Sequence, residues 1–162
     1  MANDGTAAEP LPDRILVVLV HGYVHTPDDM RGVESAVREA WPNATVLVPP
    51  LPTRRYSRAD ANELVIRVVS EIDREWRQGS GDESPSPYRG IVLVGHSLGA
   101  LIARKAYLVA CGEQPRAPFE DALRKALSVS AGERFEGFTW SGAVERIVLL
   151  AAMNRGCTSR TT

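Results

Sequence analysis

Ten residues constrain this chain more than any others: Ile91-Val92-Leu93-Val94-Gly95-His96-Ser97-Leu98-Gly99-Ala100. Four consecutive apolar side chains predict a strand buried on both faces, and the pattern from Leu98 onward predicts a helix. Between them Gly-His-Ser-Leu-Gly fits G-x-S-x-G, the sharp strand-to-helix turn that lifts a serine to an exposed apex. Without Cβ atoms, Gly95 and Gly99 let strand and helix approach closely, so Ser97 can occupy that strained position. A serine held this way is placed to attack an acyl carbonyl. Five residues are a short pattern, and their context must carry the reading.

The context is a regular alternation. Residues 15–20 form a continuous apolar run rich in valine, as expected of a strand buried in a parallel sheet. Thr26-Pro27-Asp28-Asp29 then predicts a helix start, with Thr26 as N-cap, Pro27 at the first helical position and acids in the first turn. Met30, Val33, Val37 and either Ala40 or Trp41 mark its apolar face, and Pro42-Asn43 ends it. Residues 45–48 predict a second strand. Asp60 and Glu63 predict a cap for a helix in which Ala61, Leu64, Val65, Val68, Val69, Ile72 and Trp76 recur at i, i+3, i+4, i+7. After a polar loop over residues 78–87 come the serine strand and its helix, which is expected to end near Cys111-Gly112.

Residues 113–143 read as an insertion. Phe119, Ala122, Leu123, Ala126 and Leu127 predict one short amphipathic helix, and residues 130–142 read as loop. The helix after Ser97 runs back about 20 Å along the sheet at 1.5 Å per residue, so the insertion starts at the far end. Core packing is therefore expected of it rather than a lid over the serine. Residues 147–152 predict a last strand, and residues 154–162 an irregular tail. Strands alternating with helices over residues 1–162 imply a single α/β domain built on a parallel sheet of about four strands, with helices on both faces.

Composition narrows the functional classes. A net charge of −1 gives no reason to expect nucleic acid or an anionic membrane as partner. Two cysteines, Cys111 and Cys157, lack metal-ligand spacing and suggest reduced thiols, so neither a disulfide framework nor a metal site is expected. No apolar run approaches the length of a membrane span, and residues 1–12 do not resemble a signal peptide. The expectation is a cytoplasmic protein without a cofactor. The cluster Arg54, Arg55 and Arg58 reads as a solvated loop, with contact to an anionic substrate as the alternative.

The residues after the first strand add a second functional element. In parallel sheets the carboxyl ends of the strands form the ligand crevice, so His21-Gly22-Tyr23 should lie beside Ser97. Acyl transfer needs two N–H donors aimed at the developing oxyanion, and the backbone amides of Tyr23 and Leu98 are the natural candidates. Gly95, His96, Gly99, His21 and Gly22 would support the turn and that loop.

On these residues the chain resembles the α/β-hydrolase superfamily, in particular its lipase and serine-esterase branches. The matching segments are His21-Gly22-Tyr23, Gly95-His96-Ser97-Leu98-Gly99, the following Leu101-Ile102-Ala103-Arg104, and residues 144–156. The resemblance implies that Ser97 is the nucleophile, that Tyr23 and Leu98 line the oxyanion hole, and that the substrate is an ester, including lipid-like esters. It also implies that the four strands correspond to the family's third to sixth, giving a partial fold with order 4-3-5-6.

The pattern breaks in one respect. In the family an acid and then a histidine follow the serine. Here the histidines are His21, His25 and His96, all before Ser97, and no Asp or Glu follows Ala152. A base role for His25 would be unlike the family. Two expectations follow. In the first, the chain is truncated after the sixth strand and the base lies beyond Thr162. Residues 144–152 support it, being an apolar edge without Lys or Pro in its apolar run to blunt it. In the second, the chain is a non-catalytic hydrolase-like module that binds a partner along that exposed edge.

Overall fold

The computed structural model describes residues 14–53, 57–78 and 86–152. Arg54, Arg55, Cys157 and the tail over residues 154–162 lie outside the described residues. Four strands, β1 (Arg14–Val20), β2 (Thr45–Leu47), β3 (Tyr88–His96) and β4 (Val144–Leu150), form one sheet in the order β2-β1-β3-β4. All three pairings are parallel. Leu16 stands opposite Thr45 on one side and Ile91 on the other, and Leu93 stands opposite Ile147. This is the expected order, with β2 and β4 at the edges.

The apolar runs of β1 and β3 are continuous because both faces of the sheet are covered. Leu16, Val18, Val20, Ile91 and Leu93 pack against α2 (Ala61–Arg77) and α3 (Leu98–Ala110). Ile15, Val17, Leu19, Val92 and Val94 alternate with them and face the opposite layer. That layer is Met30, from the 3₁₀ turn Pro27–Met30, and Val37 of α1 (Arg31–Ala40). The helices thus lie on both faces, α1 on one and α2 with α3 on the other.

Local chemistry sets the helix ends. Asp29 Oδ2 accepts the Thr26 N–H at 2.6 Å and Pro27 opens the turn that leads into α1, as expected. At α2 the cap is Asp60, whose Oδ1 accepts the Asn62 N–H at 2.6 Å. Glu63 takes no part, so a simple N-cap replaces the expected reciprocal box. Leu64, Val65, Val68, Val69 and Ile72 are buried as their spacing predicts, whereas Ala61 is exposed. Ala40 and Trp41, expected on the apolar face of α1, are also exposed at its carboxyl end.

Several boundaries differ from the sequence reading. β3 begins at Tyr88 and extends through His96, since backbone pairing with β1 and β4 continues beyond its apolar stretch. β2 stops at Leu47, and β4 spans Val144–Leu150. Residues 130–142 are not loop throughout: a 3₁₀ turn, Thr139–Ala143, seats Trp140 fully inside the main core. Its sequence neighbour Phe138 stacks on it at 5.9 Å, and both pack on the core cluster. The short helix of the insertion forms as α4 (Asp121–Ala126), and Leu123 joins the same core. Glu113 anchors it by accepting the Phe119 N–H at 3.0 Å and pairing with Arg124. The Phe119 hydrogen bond first, then Arg124, holds the Glu113 carboxyl below its ordinary range.

β4 is the sheet's edge. Its side chains are half-buried or exposed, in contrast to the fully buried Leu16–Val20 of β1. No helix among the described residues is long and apolar enough to cross a membrane.

Candidate active site

The carboxyl ends of the parallel strands bring the predicted residues together. Ser97 stands between β3 and α3 with φ 54° and ψ −121°, a backbone conformation that L-residues rarely adopt. Its own N–H donates to the Leu150 carbonyl at 2.9 Å, so the apex is tied to β4. The turn is possible only because of the two glycines. A Cβ on Gly95 would stand 2.5 Å from Ala100 Cα, and one on Gly99 would stand 2.6 Å from the His21 carbonyl oxygen. Ser97, His96 and Leu98 are half-buried, leaving the serine reachable from the crevice.

The loop after β1 lies against this turn. A Cβ built on Gly22 would be 3.1 Å from Ser97 Cβ and 3.2 Å from the His96 carbonyl oxygen. The next residue, Tyr23, is exposed. Its N–H and that of Leu98 donate to no partner among the described residues. Leu98 opens α3, where the first N–H groups have no intrahelical acceptor. Both amides are thus without a protein acceptor among the described residues.

His21 does not face the crevice. It is fully buried, and its Nε2 accepts the Leu51 N–H at 3.3 Å. That leaves the proton on Nδ1, which lies 3.1 Å from the Gly22 carbonyl oxygen. Burial pushes its pKa below the ordinary imidazole value, so the ring is held neutral. His21 therefore pins the β1 loop to the segment after β2.

Thr53 completes that clamp, and sequence reasoning missed it. Its hydroxyl lies 3.2 Å from the Gly22 carbonyl and 3.3 Å from the His25 carbonyl, and its own carbonyl accepts the Val24 N–H at 2.7 Å. Val24 needs such restraint, since φ 64° is an outlier for a β-branched residue. A lone threonine in Pro-Pro-Leu-Pro-Thr carries no signal of this role.

A mostly apolar hollow of about 170 Å³ opens next to the donors, bounded by Tyr23, Leu98, Ile102, Leu64, Ala59 and Thr53. Another hollow, of about 180 Å³ between Trp41 and Arg89, lies at the amino-terminal end of the strands, away from Ser97. Among the described residues no group of three or more His, Cys, Asp or Glu side chains could hold a metal ion. Arg58 is exposed, and the rest of its arginine cluster lies outside the described residues.

The comparisons with known proteins agree with this architecture. Three solved structures are similar. One is an acetylxylan esterase at 15% identity and TM-score 0.52, covering 93% of this chain and 68% of that one. An iodinated complex of acetyl xylan esterase gives 16% and 0.49, covering 89% and 66%. An extracellular alpha/beta-hydrolase from a Paenibacillus species gives 15% and 0.45, covering 88% and 42%. At 15% identity the likeness to the first is one of fold, and this chain spans less than two thirds of the latter two proteins. No curated protein matches the sequence. The sequence model of the alpha/beta hydrolase family matches residues 17–158, and the chain belongs to that family.

Proposed function

We propose that the protein is a serine esterase in which Ser97 is the nucleophile and the backbone amides of Tyr23 and Leu98 form the oxyanion hole. The observation that carries this reading is the Ser97 backbone, held at φ 54° between two close-packing glycines with the Gly22 loop against it. Strained conformations of this kind persist where the surroundings over-determine them, and they cluster at working sites. Ser97 Oγ attacks the ester carbonyl carbon while an imidazole takes its proton. The carbonyl oxygen becomes an oxyanion facing two preorganised N–H donors. Collapse expels the alcohol and leaves an acyl-enzyme, which water hydrolyses.

The hollow beside Tyr23 and Leu98 supports a substrate with a short apolar group. Its volume of about 170 Å³ is close to that of a cavity of about 150 Å³ that holds benzene. Long lipid chains would extend beyond it. The test is covalent labelling of the chain with a fluorophosphonate followed by peptide mass spectrometry. The expected adduct is on Ser97 and disappears in Ser97→Ala. Absence of the adduct in a chain extended beyond Thr162, together with no hydrolysis of p-nitrophenyl acetate, rejects the esterase reading in favour of a binding module.

A further inference from the structure

The two faces of the sheet carry different surfaces past Ser97. On the side of α2 and α3 lies the apolar hollow lined by Leu64, Leu98 and Ile102. On the side of α1 the rim is polar. Side chains of β3 alternate between the faces, and Val92 and Val94 put His96 on the face that Met30 covers. Met30 ends the 3₁₀ turn that follows His25 in sequence. The His25 and His96 rings accordingly meet edge to face at 5.4 Å, and His25 Nδ1 lies 3.6 Å from Asp29 Oδ2. This rim reaches the serine. The point where a Gly22 side chain would begin is 3.1 Å from Ser97 Cβ and 3.4 Å from His25 Cδ2, so the absence of that side chain leaves the way between them open.

Much of the rim is unused by the protein. Asp29 is held through one oxygen: Oδ2 accepts the Thr26 N–H at 2.6 Å and the Thr26 hydroxyl at 3.0 Å, while Oδ1 accepts no hydrogen bond among the described residues. His25 Nε2 and both ring nitrogens of the half-buried His96 likewise have no hydrogen-bond partner among the described residues. His21, at the same end of the sheet, is the contrast, since both of its ring nitrogens face main-chain groups. The backbone of His25 is fixed, its carbonyl 3.3 Å from the Thr53 hydroxyl and its N–H 3.4 Å from the Gly22 carbonyl. The open polar atoms therefore sit on a restrained loop.

We propose that His25, His96 and Asp29 bind the alcohol portion of the substrate and that this alcohol is a polyol. The inference rests on the reading of Ser97 as the nucleophile of an esterase. A neutral imidazole presents one donor and one acceptor, and a carboxylate presents acceptors only. A hydroxyl group both donates and accepts, so neighbouring hydroxyls of one polyol suit Asp29 Oδ1 and the open imidazole nitrogens together. An alkyl alcohol would strip water from these atoms and return no hydrogen bond. A quaternary ammonium would suit the carboxylate and leave the imidazole nitrogens unserved. The two halves of the ester are then sorted by chemistry, the acyl group into the apolar hollow over α2 and α3 and the polyol onto the rim over α1.

The test compares kcat/KM for glyceryl monoacetate, propyl acetate and acetylcholine in a chain extended beyond Thr162, each divided by the rate of that ester's alkaline hydrolysis. The glyceryl ester is expected to exceed the propyl ester by about tenfold, the worth of two hydrogen bonds of ordinary strength. His25→Phe keeps a ring against His96 and removes the ring nitrogens. It should lower the glyceryl-to-propyl ratio by about three- to tenfold, the worth of one such bond. The ratio is read within one protein, so a loss of folded material lowers both rates alike and leaves it unmoved. A wild-type ratio near one overturns the assignment without any variant. So does a ratio that persists in both His25→Phe and His96→Phe, and so does acetylcholine turned over faster than the glyceryl ester, which would give the rim to a cation. Turnover in those cases leaves the esterase reading standing. No turnover of any ester, with no fluorophosphonate adduct on Ser97, overturns both readings.

Discussion

Gly99 packs its α carbon directly onto the carbonyl oxygen of Val20, so that a Cβ at this position would overlap that oxygen and crowd the His21 carbonyl at 2.6 Å. This contact sets how closely α3 approaches β1, and hence where Ser97 stands relative to the Gly22 loop. The neighbours are main-chain atoms of a central strand, which cannot rotate away. Gly99→Ala is therefore expected to destabilise the protein by about 1–3 kcal/mol or more, as overpacking does. The urea midpoint measures this. On the esterase reading, activity in whatever remains folded should fall further than the stability change explains, because the serine is displaced from the proposed oxyanion donors.

Thr53 offers a substitution of nearly equal volume. Thr53→Val removes a buried hydroxyl that lies near the Gly22 and His25 carbonyls. The expected loss is about 1–3 kcal/mol, since the His25 carbonyl loses its Thr53 donor while the Gly22 carbonyl keeps the His21 and His25 N–H groups. The catalytic effect should appear mainly in kcat, with Thr53→Ser restoring it. A loss confined to KM would mean that the loop geometry survives without the hydroxyl.

Much of the scaffold is legible in the residues themselves. The runs at Ile15 and Ile91 are uninterrupted because both faces of those strands are buried, and α2 repeats every three to four residues because only one face is. The strand–turn–helix around Ser97 follows from Gly95 and Gly99 at fixed offsets. What could not be read depends on contacts distant in sequence. Trp140 is core only because the main cluster, built from elements far from it in sequence, receives it. Asp29 reads as an ordinary first-turn acid and pairs locally with His25, whereas the approach of the loop after β1 to the serine turn emerges only once β1 and β3 pair. Val24 is a valine in the left-handed region, where residue type predicts the opposite.

His21 makes stability depend on pH. Its folded pKa is lowered, first by burial, while the unfolded chain titrates near 6.5. Above 6.5 both states are neutral and its contribution is complete. As pH falls below 6.5 the unfolded state takes up the proton first, and stability declines until the folded-state pKa is passed. The urea midpoint should therefore drop between pH 7 and pH 5, and His21→Gln should remove that part of the slope. A slope unchanged in His21→Gln would assign it to other groups.

The hollow beside the proposed oxyanion donors predicts a dependence on acyl length. Leu64, Leu98 and Ile102 form its apolar wall, and Ala59 stands at its half-buried rim. Each methylene that remains inside leaves water and gains about 0.8 kcal/mol, or roughly fourfold in kcat/KM if the gain is kept in the transition state. Rates on p-nitrophenyl esters should climb from acetate to butyrate and then level off or fall as the chain outgrows about 170 Å³. Ala59→Leu narrows the hollow from its rim without touching the buried sheet. It is expected to leave acetate hydrolysis within about twofold and to lower butyrate and hexanoate by about tenfold, of the order of one to two lost methylene contacts. If all esters slow equally in Ala59→Leu, the acyl group does not occupy this hollow.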